Sequence, residues 1–381
     1  MRSVIRSRID KLLISTAGNP FITSKCEDLF YFSRFTGDCG SVIISQPKSY
    51  IITTKMFQEN VLKEVDSSIF DVHITDKKEI PSRIIEILTS LEIGEIFISS
   101  TDTKLNEFIS VIELAKEKKL LGLNKKLLSL REDHFAVGNI KVYFKEYLTH
   151  KVRMVKEEGE IEIIKDNHLL SDEGFLYILR FIKPGVTEAQ ICAELEYYLK
   201  SKGAEEMAFP TIVASGTRSS LPHARASSKV VSNNEPIVID FGIKKDRYCT
   251  DMTRTVFLGT PPQKFKDAYN VVLEALSEGI SFAKEGVLAK DLDNKVRSVI
   301  ERYGFGEHFT HSTGHSVGLE VHEFPFISKD NSQELKEGMV ITIEPGIYIP
   351  GEFGIRTENM VLIRKNSCET LTKLGTELIT L

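Results

Sequence analysis

The chain has little cysteine, and none of it is paired in sequence. Its five cysteines (Cys26, Cys39, Cys192, Cys249 and Cys368) are scattered, odd in number and form no CxxC. That excludes a disulfide framework and reads as free thiols in a reducing compartment. Long apolar runs are missing too: nothing approaches the roughly 18 residues that a membrane span needs. The opening stretch MRSVIRSRIDKLL is amphipathic and lacks the continuous apolar region of a secretory signal. A cytoplasmic protein with no membrane partner is therefore expected. An excess of basic charge is also absent. There are 49 Lys and Arg against 54 Asp and Glu, for a net charge of −5, and no basic cluster is interleaved with aromatics. No nucleic-acid partner is expected. The short basic stretch Lys116, Lys118 and Lys119 around Glu117 reads as a solvated helix face. No short-period repeat is visible.

What is present is an ordinary globular mixture, 41% hydrophobic and 27% charged in 381 residues, long enough for two domains with large cores. In the first part, SVIIS (41–45) and SYIITT (49–54) flank the turn signal Gln46-Pro47-Lys48 and predict a hairpin. FDVHIT (70–75) and EIFISS (95–100) are further strand candidates. Between them Ile84, Ile85, Leu88 and Leu91 share one helical face behind Pro81. This alternation predicts an α/β domain over 1–148. A second domain, 149–381, opens on a helix that ends at Pro184-Gly185. Thr187 and Gln190 then form a capping-box pattern, and Gly203 closes the helix they start. Two more helices are expected after Pro261-Pro262 and Gly286. The strands EPIVIDFGI, RYCTDMTRTVFLG, GMVITIEPGIYI and FGIRTENMVLI come in pairs with short turns. They predict antiparallel pairing and an α+β second domain.

Acidic residues inside those apolar strands demand an explanation. A two-residue turn at Lys245-Asp246 would set Asp240 directly opposite Asp251. A three-residue loop at Pro350-Gly351-Glu352, with Gly351 where such a loop uses glycine, would set Glu344 opposite Glu358. Facing carboxylates on a buried strand pair destabilise the fold unless a proton, a base or a cation neutralises them. Histidines select the cation. His311, His315 and His322 lie in HSTGHSVGLEVHE, where Gly314 and Gly318 argue against a regular helix. Ser312 stands where a zincin helix would carry Glu. The segment reads as a glycine-rich turn that delivers histidines to a site. His223 lies in the loop SGTRSSLPHAR, stiffened by Pro222. Four carboxylates and an imidazole make a hard donor set that suits Mn²⁺, Co²⁺, Fe²⁺ or Zn²⁺ without choosing among them.

Taken together, IDFG, YCTDMTRT, HSTGHSVGLEVHE, TIEPGIY and IRTENM resemble the pita-bread metallopeptidases of the methionine-aminopeptidase/prolidase superfamily, nearest to the Xaa-Pro branch of aminopeptidase P and prolidase. The likeness runs in order and spacing over residues 150–381. LFYFSRFTGDCG resembles, more loosely, the creatinase-like N-terminal domain of that branch, which methionine aminopeptidases lack. The resemblance implies an α+β protein in which a pita-bread catalytic domain follows a smaller α/β domain. It implies two divalent ions, Mn²⁺ before the others: Asp240 on one, Asp251 and Glu358 bridging, His315 and Glu344 completing the second. It places His223, His311 and His322 on the substrate side and gives catalytic work to Glu344, His322 and His223. Arg356, two residues before Glu358 and on the same strand face, is expected to bind on the substrate side and to support Glu358 or His322. Ser316 stands where the family more often has glycine. The implied activity is hydrolysis of the Xaa-Pro bond at the N-terminus of peptides, as in aminopeptidase P. Strict Xaa-Pro dipeptidase activity is the alternative, and a lyase or a binding protein on the same fold is more remote. Peptides with proline second and a second copy of the chain are the expected partners.

Overall fold

The structure is a computed structural model that describes residues 2–99, 134–137 and 140–381. Ser100 and the basic stretch Lys116–Lys119 lie outside the described residues. The chain divides into two compact units, Met1–Val152 and Arg153–Leu381. No helix among the described residues is long and apolar enough to cross a membrane.

In the first unit, β1 (Phe21–Thr23), β2 (Gly40–Ile44), β3 (Ser49–Thr54), β4 (Phe70–Thr75), β5 (Glu95–Ser99), β6 (His134–Val137) and β7 (Ile140–Lys145) form one mixed sheet in the order β4-β3-β2-β1-β5-β7-β6. The hairpin expected around Gln46-Pro47-Lys48 is present, with Val42 across from Ile51. The helix α1 (Ile80–Ser90) carries Pro81 in its first turn and buries Ile84, Ile85, Ile87 and Leu88; of these, Ile84, Ile87 and Leu88 pack with Ile43, Ile52, Ile96 and Ile98 of the sheet. The short strand β1 and a helix over Cys26–Ser33 escaped the sequence reading. Each is too short for its periodicity to rise above noise.

The second unit repeats one arrangement twice. In its first half α2 (Glu158–Ile178) and α3 (Glu188–Ser201) cover β9 (Ile212–Ser215), β10 (Glu235–Phe241) and β13 (Met252–Leu258), while β8 (Glu206–Met207), β11 (Ile243–Lys245) and β12 (Tyr248–Cys249) form a small separate sheet. Phe175, Ile191, Leu195, Ile237, Ile239 and Val256 meet in that core. In its second half α4 (Gln263–Phe282) and α5 (Ala289–Arg302) cover β16 (Val340–Ile343), β17 (Gly346–Ile349), β18 (Phe353–Arg356) and β19 (Asn359–Ile363). Val272, Leu276, Leu292, Val296, Ile341 and Ile355 meet there. Both second helices are entered through a left-handed glycine, Gly185 at φ 94° and Gly286 at φ 87°. Each glycine amide bonds a distant carbonyl, Val231 in one half and Leu335 in the other. The segments Lys183-Pro184-Gly185-Val186 and Lys284-Glu285-Gly286-Val287 carry this device, a repeat of period too long for a short-window search. The capping box at Thr187 is formed: the Gln190 amide donates to Thr187 Oγ1 at 3.1 Å, and the Thr187 amide donates to Gln190 Oε1 at 2.8 Å.

The two acidic hairpins differ in how closely they follow expectation. Around Gly351 (φ 75°), β17 and β18 pair Gly346 with Arg356 and Ile349 with Phe353. On the far side β16 and β19 pair Ile343 with Asn359 in the same register. Glu344 is thereby set across from Glu358, as the loop length implied. The other hairpin turns one residue later than expected. Asp246 and Arg247 occupy its tip with φ of 49° and 72°, and Lys245 pairs with Tyr248. Asp240 therefore faces Thr253, not Asp251. A two-residue turn of this hand needs positive φ at both central positions. Moving it by one residue slides the register by two, which leaves Asp251 on the same face and one pair along.

Candidate metal centre

The four carboxylates and His315 converge where the ladders part. The Glu344 amide leaves its partner strand to donate to the Thr313 carbonyl at 2.8 Å, and the Glu358 amide donates to the Thr253 carbonyl at 3.1 Å. Each acidic side chain is thus held by a strand that crosses between two sheets. His315 lies on β14 (Gly314–Ser316), between β15 (Glu323–Ile327) and β16, with a bulge after it. The expected glycine-rich turn is therefore a strand. Gly314 serves close approach: a Cβ there would lie 2.1 Å from the Thr342 carbonyl oxygen. His311 and His322 flank the strand, and the His322 ring meets that of His315 edge to face at 4.4 Å.

Hydrogen bonds select the ring tautomers. Nδ1 of His315 faces the Ser316 carbonyl at 3.2 Å. A carbonyl only accepts, so Nδ1 carries the hydrogen and Nε2 keeps its lone pair. That Nε2 lies 3.5 Å from Asp251 Oδ2 and 3.5 Å from Glu344 Oε1. Asp251, His315 and Glu358 each place a ligand atom within 4.8 Å of the others. His311 donates from Nδ1 to the Ser312 carbonyl at 2.8 Å and accepts at Nε2 from the Tyr348 hydroxyl at 2.9 Å. That hydroxyl in turn accepts from Arg356 Nη1 at 2.6 Å.

Arg356 lines the cavity beside the acidic cluster. Its guanidinium bonds Asp240, Tyr348, the Pro222 carbonyl and Thr253 Oγ1. Support for Glu358 is relayed, because Thr253 Oγ1 donates onward to Glu358 Oε2 at 2.7 Å. The reason is the shifted hairpin, which brings Thr253 rather than Asp251 beside Asp240.

One arginine does not neutralise four carboxylates. Burial, and then the charges of Glu358, Asp240 and Glu344, hold the Asp251 carboxyl well above its ordinary range. Burial and Glu358 do the same to Glu344. Glu358 is pushed up to about 7 by burial and Asp240. Burial, with the neighbouring His322, lowers His315 to about 3, and burial with Arg356 lowers His311 to about 4. Both imidazoles are therefore neutral at ordinary pH. Asp240 Oδ1 and Glu358 Oε1 are buried without a hydrogen-bond partner. Strained carboxylates, orphaned oxygens and an imidazole with its lone pair presented are the donor chemistry of a divalent-cation site. The residues fit such an ion.

A cavity of about 410 Å³ opens on this cluster. His223, His311 and His322 line it with the acidic residues and Arg356. Phe209, Pro210, Ile212 and Phe326 give it an apolar wall, and Arg225 adds a further cation. Sequence reasoning missed these five residues and Tyr348. Tyr348 had a signal, since it stands four residues beyond Glu344 and therefore on the same strand face. Phe209 and Pro210 had none, because a connecting segment carries no periodicity.

A buried carboxylate–imidazole centre beneath a peptide-sized cavity, on paired α+β halves, defines the class: a metal-dependent hydrolase. Residues 162–365 match metallopeptidase family M24, and the chain belongs to that family. It is a peptidase on the pita-bread fold, and the family implies the use of divalent metal. An Xaa-Pro dipeptidase of Pyrococcus furiosus is 42% identical over 278 residues, covering 72% of this chain and 80% of that protein. Among solved structures, an Xaa-Pro dipeptidase from Bacillus anthracis superposes with a TM-score of 0.89 at 32% identity, covering 99% of this chain and 100% of that one. An X-Pro aminopeptidase from Thermotoga maritima superposes at 0.82 with 36% identity, covering 96% and 98%.

Proposed function

We propose that the chain is an Xaa-Pro dipeptidase that uses two divalent ions, Mn²⁺ by preference, and that it cleaves dipeptides in preference to trimming longer peptides. This reverses the order in which the sequence ranked the two activities. The observation that carries it is the 42% identity, across most of the chain, to a protein named for that activity. The cavity agrees: its 410 Å³ stands near the lower end of the roughly 300–1,000 Å³ of small-molecule pockets. A prolyl residue gives its peptide bond no N–H, and the wall of Phe209, Pro210, Ile212 and Phe326 asks for none.

In this reading Asp240, Asp251, Glu344, Glu358 and His315 hold the ions, which when bound acidify water and polarise a carbonyl. Glu344, half-buried at the cavity, would lose its own proton when the ions bind; as the carboxylate it takes the proton released by the attacking water and passes it to the leaving prolyl nitrogen. His322 and His223 offer ring N–H groups to the scissile carbonyl oxygen as charge develops on it. His311 is locked to Tyr348 and shapes the wall. Arg356 orients Asp240. A cytoplasmic location is proposed from cysteines that are few, scattered and without a CxxC pair, and a homodimer from the family resemblance.

The T. maritima neighbour favours the second reading, aminopeptidase P activity. The deciding assay compares Ala-Pro with Ala-Pro-Ala in Mn²⁺. The expected result is kcat/KM at least tenfold higher for the dipeptide. Equal or faster tripeptide cleavage would overturn the dipeptide limit, and cleavage of neither would overturn the proline specificity.

A further inference from the structure

The residue that follows His322 is a buried carboxylate that the metal chemistry does not use. Glu323 is completely buried, and Arg153 and Lys156 beside it are 2% and 5% exposed. None of the three lines the cavity. Lys156 Nζ donates to Glu323 Oε2 at 3.2 Å and to Ser316 Oγ at 2.9 Å. Arg153 Nη2 lies 3.3 Å from Glu323 Oε1 and also bonds the Glu320 carboxylate. The Glu320 amide donates to Glu323 Oε1 at 3.2 Å. Two cations thus meet two carboxylates. Gly318 leaves room for them: a Cβ there would lie 2.7 Å from a Glu323 carboxylate oxygen.

This cluster ties together the two histidines that meet edge to face. Ser316 follows His315 and pairs with Glu323, which follows His322, across the bulge between β14 and β15. The Ser316 hydroxyl donates onward to the Val340 carbonyl at 2.9 Å, and the Ser316 carbonyl holds His315 Nδ1. Lys156 is fixed in turn by its amide, which donates to the Gly338 carbonyl at 2.9 Å. The loop between the histidines is therefore drawn in around the Glu323 carboxylate. The His322 ring has little else to place it. It touches the His315 ring and takes no hydrogen bond among the described residues. A buried ion cluster is a poor means of stabilising a fold, since apolar residues of the same shape often serve as well or better. What it supplies is a fixed geometry, because every buried oxygen and N–H in it must be met.

We propose that Glu323 is a positioning residue: fastened by Lys156 and Arg153, it holds the loop so that the His322 ring stands against His315 with its N–H at the scissile carbonyl oxygen. This rests on the role given to His322 above. Glu323 touches no substrate and acts through its neighbour, so its removal slows turnover without weakening binding.

The experiment measures kcat and KM on Ala-Pro, together with metal content, for the Mn²⁺-loaded wild type, E323Q, H322Q and the double variant. The expected result for E323Q is a fall in kcat of about tenfold or more, the effect of a misplaced group, with KM and metal content at wild-type values. Added to H322Q, the same change produces no further fall, because residues that act as a unit do not add. If E323Q does not fold, E323Q combined with K156M takes its place; that pair removes one charge of each sign and leaves Arg153 to Glu320. Wild-type kcat, a loss of metal, or the same factor lost again in the H322Q background overturns the positioning role. H322Q with wild-type kcat removes the role given to His322 and this inference with it, whereas a slow H322Q on which E323Q acts additively removes only this inference.

Discussion

At the scale of single residues the centre is defined by charges that the protein alone does not balance. Glu358 keeps its proton up to about 7 because burial and Asp240 oppose the anion, and Asp251 and Glu344 are displaced in the same direction. Metal must therefore displace protons. His315 does not compete, since it is neutral above about 3. Metal affinity is expected to climb steeply as pH rises toward about 7, with proton release on binding. Calorimetric titration with Mn²⁺ in buffers of different ionisation enthalpy measures both, and a pH-independent affinity would contradict the assignment. Without metal, the same carboxyl ties the stability of the fold to pH. Glu358 is raised in the folded state, so its contribution to stability is complete below the ordinary carboxylate range and is lost as pH rises through about 7. Among these residues, the acidic ones and the histidines could be picked out of the sequence because ionisable groups in apolar strands are costly. Their partners could not: Arg356 reaches Asp240 across a distance in sequence of more than a hundred residues, and Arg225 looks like any loop arginine until a cavity lies beside it.

At the scale of elements, strands and their close approach aim the ligands. The hairpin that sets Glu344 across from Glu358 was readable because Gly351 marks a loop that only one register satisfies. The hairpin that carries Asp240 and Asp251 was not, because Lys244-Lys245-Asp246-Arg247 contains no glycine to mark the turn and two non-glycine residues take positive φ there. The error cost one pair of register but not the face, since strand side chains alternate with period two. The strand that holds His315 was misread as a turn for a related reason: three residues that begin on Gly314, with Gly318 close behind, look like a loop. Gly314 is expected to be intolerant of a side chain. Gly314→Ala must force β14 from β16, since the new methyl would meet the Thr342 carbonyl. Overpacking of this kind costs about 1–3 kcal/mol, and the displaced His315 weakens metal binding. Urea denaturation and metal titration of the variant test this, and wild-type values in both would show that the strands part freely.

At the scale of the whole molecule, every proposed ligand lies in the unit Arg153–Leu381 and comes from a different strand or loop, so the ions bind the fold and not the unfolded chain. Ions at a hundredfold excess over their dissociation constant stabilise by about 2.7 kcal/mol, which for a unit of this size is about 5–10 °C. Removal of metal by a chelator is expected to lower the melting temperature by that amount, and Mn²⁺ to restore it; a scan unchanged by either would show that the acidic centre holds no ion. The sequence by itself determined which residue types are present and at what spacing, and hence the strand and helix periods, the caps, the facing of Glu344 and Glu358, and the family. Tertiary structure alone decided the depth of burial that displaces the carboxylates, the relay from Arg356 through Tyr348 to His311, and the cavity that gathers Phe209, Phe326 and Arg225. Local geometry follows from neighbours along the chain, whereas dielectric environment and pocket shape arise only where distant segments meet.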